Sequence, residues 1–170
     1  MTRYVALLRA VNVGGTGRLA MAELAAMCAA EGFTRVETYI ASGNVVFDSK
    51  AAARTVKAGL EARLARHMGK PVGVLVRTAA EMAAVLEGNP FPGTEPKHTY
   101  ALFLDAPPAK DALQRLSGRQ DEELRLGKRE IYVFYPSGAG RSRLKIPGAE
   151  SGTARNMNTI AKLVEIAARR

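Results

Sequence analysis

Tyr4-Val5-Ala6-Leu7-Leu8-Arg9-Ala10 and Tyr100-Ala101-Leu102-Phe103-Leu104-Asp105-Ala106 decide how the chain is read. Each is a short apolar run rich in strand-forming residues, and the two agree at Tyr4/Tyr100, Leu8/Leu104 and Ala10/Ala106. Outward from the first run, Asn12-Val13-Gly14-Gly15-Thr16-Gly17 forms a turn cluster. Met21, Leu24, Ala25 and Cys28 then recur at helical spacing, with Gly32 as a stop. Val36–Ile40 and Val45–Phe47 flank Ala41-Ser42-Gly43-Asn44, a hairpin pattern. Val56, Leu60, Leu64 and Met68 place an amphipathic helix over 51–68, ended by Gly69, and a strand over 72–76 and a helix over 79–86 follow. Gly88 to Pro96 holds three prolines and two glycines, which forbid regular structure.

Beyond this break the pattern predicts a strand over 99–104, a helix over 109–117, a hairpin of 123–126 with 130–135 around Gly127-Lys128, and a final helix over 156–168 with Ile160, Leu163, Val164 and Ala167 on one face. The order is βαββαβα, a linker, then βαββα. It predicts an α+β fold of two tandem ferredoxin-like (βαββα-type) halves by duplication, with antiparallel sheets and helices on one face of each. The expected limits are 1–88, a Pro/Gly-rich linker 89–97, and 98–170. A single larger mixed sheet is the alternative.

The 170 residues carry 25 Lys+Arg and 16 Asp+Glu, a formal charge of +9, with 47% hydrophobic residues. That is enough chain to bury a core. The excess is spread over both halves, but the segment from Lys128 to Arg170 holds nine basic residues against Glu130, Glu150 and Glu165. The longest uncharged stretches are ten residues, about half of a membrane span. Arg9 interrupts the first apolar run, against a signal peptide, and the single Cys excludes an internal disulfide and a thiolate metal site. The chain therefore reads as cytoplasmic, with no membrane partner.

Candidate chemistry lies in three polar clusters. Asn12-Val13-Gly14-Gly15-Thr16-Gly17-Arg18 stands between a strand and a helix, where glycines let N–H groups converge on an anion and Arg18 adds charge. It fits neither the Walker pattern nor the dinucleotide fingerprint and serves equally as a chain reversal. Ser42-Gly43-Asn44 is a turn that serves a hairpin or a ligand. Gly140 to Lys145 is a basic loop preceding Thr153-Ala154-Arg155-Asn156, where Thr153 or Asn156 suits a helix cap. Arg155 opposes the helix dipole unless an anion sits beside it. Tyr132, Phe134 and Tyr135 near Lys128 and Arg129 offer a nucleic-acid stacking platform, although alternation puts at least one aromatic set in the core. His67 and His98 lack neighbours at ligand spacing, and Cys28 falls on an apolar stripe, so neither a metal site nor a catalytic constellation is expected.

The whole set of motifs resembles the bacterial family known as domain of unknown function 1697. The resemblance runs through Tyr4 to Gly15, Met21-Ala22-Glu23-Leu24, Thr38 to Phe47, Asn89-Pro90-Phe91 and Thr153 to Thr159. It implies a tandem α+β fold of ferredoxin-like units and brings no activity, cofactor or catalytic residue. The chain departs from the family pattern in a less basic Thr16-Gly17-Arg18 and in Met157, where Trp is common. The expected function is the binding of an anion, as a nucleotide, a phosphorylated metabolite or a nucleic-acid backbone, with no cofactor. Its site would combine Arg9, Asn12, Gly14, Gly15, Ser42, Asn44, Arg141, Lys145, Arg155 and Asn156. On that reading Arg155→Ala and Arg141→Ala weaken ligand binding and leave stability almost unchanged. The competing classes are an enzyme of unrecognised type and a protein-interaction module.

Overall fold

The computed structural model describes residues 1–14 and 17–169. The chain is α+β, with two four-stranded antiparallel sheets and, among the described residues, four α-helices. It divides into two compact units, Met1–Ala83 with Leu163–Arg170, and Ala84–Lys162.

In the first unit the elements run β1 (Thr2–Leu8), α1 (Met21–Ala30), β2 (Thr34–Tyr39), β3 (Asn44–Ser49), α2 (Ala53–Met68) and β4 (Val74–Thr78), with sheet order β2-β3-β1-β4. Strand alternation sends Tyr4, Ala6, Leu8, Val45, Phe47, Val74 and Val76 to one face. There they meet Leu24 and Cys28 of α1 and Val56, Leu60 and Leu64 of α2 in one buried cluster. Helix α2 stops where the sequence says it should, because Gly69 takes φ 71° and its N–H closes on the Ala65 carbonyl. On the opposite face Val5, Leu7, Val46 and Leu75 are also fully buried.

The second unit contains β5 (Thr99–Phe103), β6 (Glu123–Leu126), β7 (Glu130–Phe134) and β8 (Thr153–Asn156), in the order β6-β7-β5-β8. Helix α3 (Ala79–Glu87) carries the chain out of the first unit, and α4 (Met157–Ala168) carries it back. Two expectations change here. The helix over 109–117 is only a 3₁₀ turn, Ala112–Gln114, since Pro107-Pro108 and Gly118 confine it and Ser117 is drawn into an antiparallel bridge with Lys145. The expected order also lacks a strand: the final helix runs Met157–Ala168, and Thr153–Asn156 just before it is β8, paired with β5 through Ala101↔Arg155 and Phe103↔Thr153. With no α-helix in either crossover, one face of this sheet is covered by loop residues: Leu113, Leu116, Leu144, Ile146 and Ala149 pack on Leu104, Leu124, Ile131 and Val133.

The two sheets share their registers. Tyr4 faces Thr78 as Tyr100 faces Asn156, so Val5↔Arg77 corresponds to Ala101↔Arg155. Both arginines are buried on edge strands, and each donates from Nη1 to the carbonyl just before it, Val76 at 3.1 Å and Ala154 at 2.9 Å. Arg125 on edge strand β6 does the same to Leu124 at 2.8 Å. In each case the register turns that carbonyl away from the neighbouring strand, so a guanidinium occupies a hydrogen-bonding group that an open edge would offer to another chain.

Candidate functional site

The first-unit candidates converge at the end of β1. Asn12, held at φ 57°, ties two loops together: its Nδ2 donates to Leu19 O (2.9 Å) and Ala41 O (2.7 Å), and its Oδ1 accepts from Leu19 N–H at 2.7 Å. A left-handed backbone is tolerable for Asn where most residues are strained. The turn that carries Ala41 is fixed in its own right, because buried Asn44 donates from Nδ2 to Tyr39 O (2.9 Å) and Ser42 Oγ (3.0 Å). Gly43 is obligatory there, since with φ at 91° a Cβ would sit 2.8 Å from both Leu8 and Val11 side-chain carbons. Asn12, Ser42 and Asn44 therefore build the loop frame.

That frame borders a recess of about 550 Å³ lined by Asn12, Gly14, Arg18, Ala20, Met21 and Ala41 among others. Helix α1 opens into it with Ala20 at the N-cap position and no side-chain cap, so the amino end of the helix faces the recess without an internal acceptor of that kind. Arg18 is exposed there, and Arg9 is exposed at the end of β1. Glu23, the acid in the first turn of α1, pairs with His67 Nε2. Gly15, also expected in the site, lies outside the described residues.

The second-unit candidates do not form one cluster. Arg155 is 7% exposed, its Nη1 donating to Thr153 Oγ1 at 2.8 Å as well as to Ala154 O, and burial lowers its guanidinium to about 10. Asn156 Oδ1 accepts the Thr159 N–H at 2.9 Å and caps α4, the simpler of the two roles the sequence allowed it. Lys145 lines a groove with Leu102, whereas the β5–β8 register puts Arg155 on the sheet face opposite Leu102. The sheet thus separates two basic residues that sequence proximity had grouped. Arg141 is exposed at the end of a 3₁₀ turn, Ala139–Arg141.

The aromatic residues of the same unit are engaged in packing. Tyr132 is buried and donates its hydroxyl to Val85 O at 2.8 Å, burial pushing its phenol up to about 12. Phe134 packs against Phe91 and Tyr135 meets Tyr100 edge-on. Cys28 is fully buried, and burial, reinforced by Glu31, pushes its thiol up to about 12, so it is protonated throughout the neutral range. Among the described residues, no three His, Cys, Asp or Glu side chains are placed to hold a metal ion, and no helix is long and apolar enough to cross a membrane.

The fold and its loops define an α+β protein of two antiparallel sheets. Residues 1–132 match the family described as "Protein of unknown function (DUF1697)", and the chain belongs to that family. It is also similar to a solved structure, that of a conserved bacterial protein from Streptococcus pneumoniae, with 28% sequence identity and a TM-score of 0.80 over 98% of each chain. No curated protein matches it.

Proposed function

We propose that the protein binds a small anion, a phosphate-bearing metabolite or nucleotide, in the recess between β1 and α1. One observation carries this: Arg18 and the amino end of α1, which has no side-chain cap among the described residues, line the same recess. A helix amino end presents N–H groups and partial positive charge, and a neighbouring guanidinium adds a full charge, which together favour a phosphoryl or carboxylate group. Asn12, Ser42 and Asn44 hold the two loops that shape the recess. A volume of about 550 Å³ suits a ligand of nucleotide size. The ligand is taken up in the cytoplasm, and no chemical step is assigned to the site.

The scaffold of this reading is a duplicated ferredoxin-like fold with its halves at 1–88 and 98–170, joined by 89–97. The shared strand order and the matching Arg77 and Arg155 registers support it. In the first half the succession β1-α1-β2-β3-α2-β4 also supports the ferredoxin-like reading.

The test is a thermal-shift series with inorganic phosphate, pyrophosphate, nucleoside mono- and triphosphates and a short RNA, at low and high salt. A shift with one small anion that Arg18→Ala reduces several-fold in affinity is expected, with a shallow salt dependence. A shift given by RNA alone and abolished by salt would reassign the site to a nucleic-acid backbone. Absence of a shift with every probe would overturn anion binding.

A further inference from the structure

The loop-covered face of the second sheet carries a different recess. From Arg141 to Ile146, Leu144 and Ile146 turn inward while Arg141, Arg143 and Lys145 stay exposed. This segment is pinned by a two-bond antiparallel bridge, Lys145 N–H to Ser117 O at 2.8 Å and Ser117 N–H to Lys145 O at 3.2 Å. Beside the bridge lies a groove of about 440 Å³ with Leu102, Tyr135, Leu144, Ile146 and Ala149 in its walls and Ser117 and Lys145 also lining it. Among the described residues the Lys145 ammonium has neither a hydrogen bond nor an ion pair. The acid in the lining, Glu150, accepts the Gly148 N–H at 3.2 Å.

An apolar wall beside an unpaired cation selects for both properties in a ligand. A compact polar anion would leave the wall in water, and a neutral hydrocarbon would strip water from the ammonium without replacing it. We propose that this groove binds an amphiphilic monocarboxylate, a medium-chain or aromatic acid. Its apolar body lies against Leu102, Leu144 and Ile146, and its carboxylate pairs with Lys145 and reaches the Ser117 hydroxyl. The volume is within the range of sites that enclose small molecules, about 300–1,000 Å³. This site belongs to the second unit and is independent of the β1–α1 recess.

The experiment is calorimetric titration of the full chain with hexanoate, octanoate and decanoate below their aggregation limits, with decanol as the neutral control. Each buried methylene multiplies affinity about three- to four-fold, so about a ten-fold gain is expected for each step of two carbons until the groove is filled. Lys145→Gln is expected to weaken decanoate binding at least five-fold and Lys145→Arg to restore it. Because the Lys145 side chain is exposed, these variants keep the fold, which circular dichroism checks. No binding, affinity independent of chain length, decanol bound as tightly as decanoate, or Lys145→Gln indistinguishable from the parent would each overturn the proposal.

Discussion

The two units carry the same sheet on different supports. Each has the order second-third-first-fourth strand, and each sets a buried arginine at the same register of its last strand. Yet the first sheet is backed by helices of 10 and 16 residues, whereas the corresponding crossovers of the second contain only 3₁₀ turns. The reason lies in the connecting segments. Those of the first unit repeat apolar residues at three- and four-residue spacing, while those of the second contain Pro107, Pro108, Gly118, Pro136, Gly138, Pro147 and Gly148, which break helices. Strand pairing therefore tolerates a wholesale change of its cover. Both candidate ligand sites lie in these connections, where the backbone is not committed to the sheet.

The sharpest way to break the comparison is to remove one covering side chain from each unit. Leu60→Ala empties a fully buried position between α2 and its sheet and is expected to cost about 2–5 kcal/mol in denaturant unfolding. Leu144→Ala, at a half-buried loop position, should cost clearly less. Equal losses would mean that the second cover is as tightly packed as the first. Next in size, Asn12→Ala removes three hydrogen bonds and leaves a left-handed residue without its side-chain support, for an expected loss of about 1–3 kcal/mol. Arg155→Ala should also cost about 1–3 kcal/mol, because it removes a buried, hydrogen-bonded guanidinium. Arg141→Ala, at an exposed turn, should stay within about 0.5 kcal/mol. If Arg155→Ala were neutral in stability, the sequence-level expectation for that residue would be restored.

Alkaline pH separates the units by chemistry. Cys28 in the first unit and Tyr132 in the second both have folded pKa values raised to about 12, from 9.0 and 10.0. Above those lower values the unfolded chain loses protons that the folded chain retains, so each group's contribution is full below its unfolded pKa and declines as pH rises toward 12. Cys28→Ala should flatten the stability profile from about pH 9 and Tyr132→Phe from about pH 10, as read by urea midpoints. The smallest effect is expected at an edge. Arg125→Ala exposes the Leu124 carbonyl on β6, changing stability by less than about 0.5 kcal/mol but increasing concentration-dependent association in light scattering.

Much of this architecture is legible without coordinates. The apolar spacing of Val56, Leu60 and Leu64, the Gly69 stop and the Ser42-Gly43-Asn44 turn are local signals, and each appears where periodicity or turn chemistry puts it. Asn156 as a cap follows from side-chain type alone. Strand β8 was not legible, because Thr153-Ala154-Arg155-Asn156 has no apolar alternation and becomes a strand only by pairing with β5. The 109–117 segment carried a helical pattern that lost to its flanking prolines and to the Ser117–Lys145 bridge, a contact between residues 28 apart in sequence.

Sequence by itself determined the α+β class, the two opening strands, the long helices and the family, all of which depend on residue type and short-range spacing. Only the tertiary structure decided which polar residues share a surface. Strand register, set by pairing between distant segments, assigns each side chain to a face of its sheet. It therefore buried Arg155 on one side while leaving Lys145 in a groove on the other.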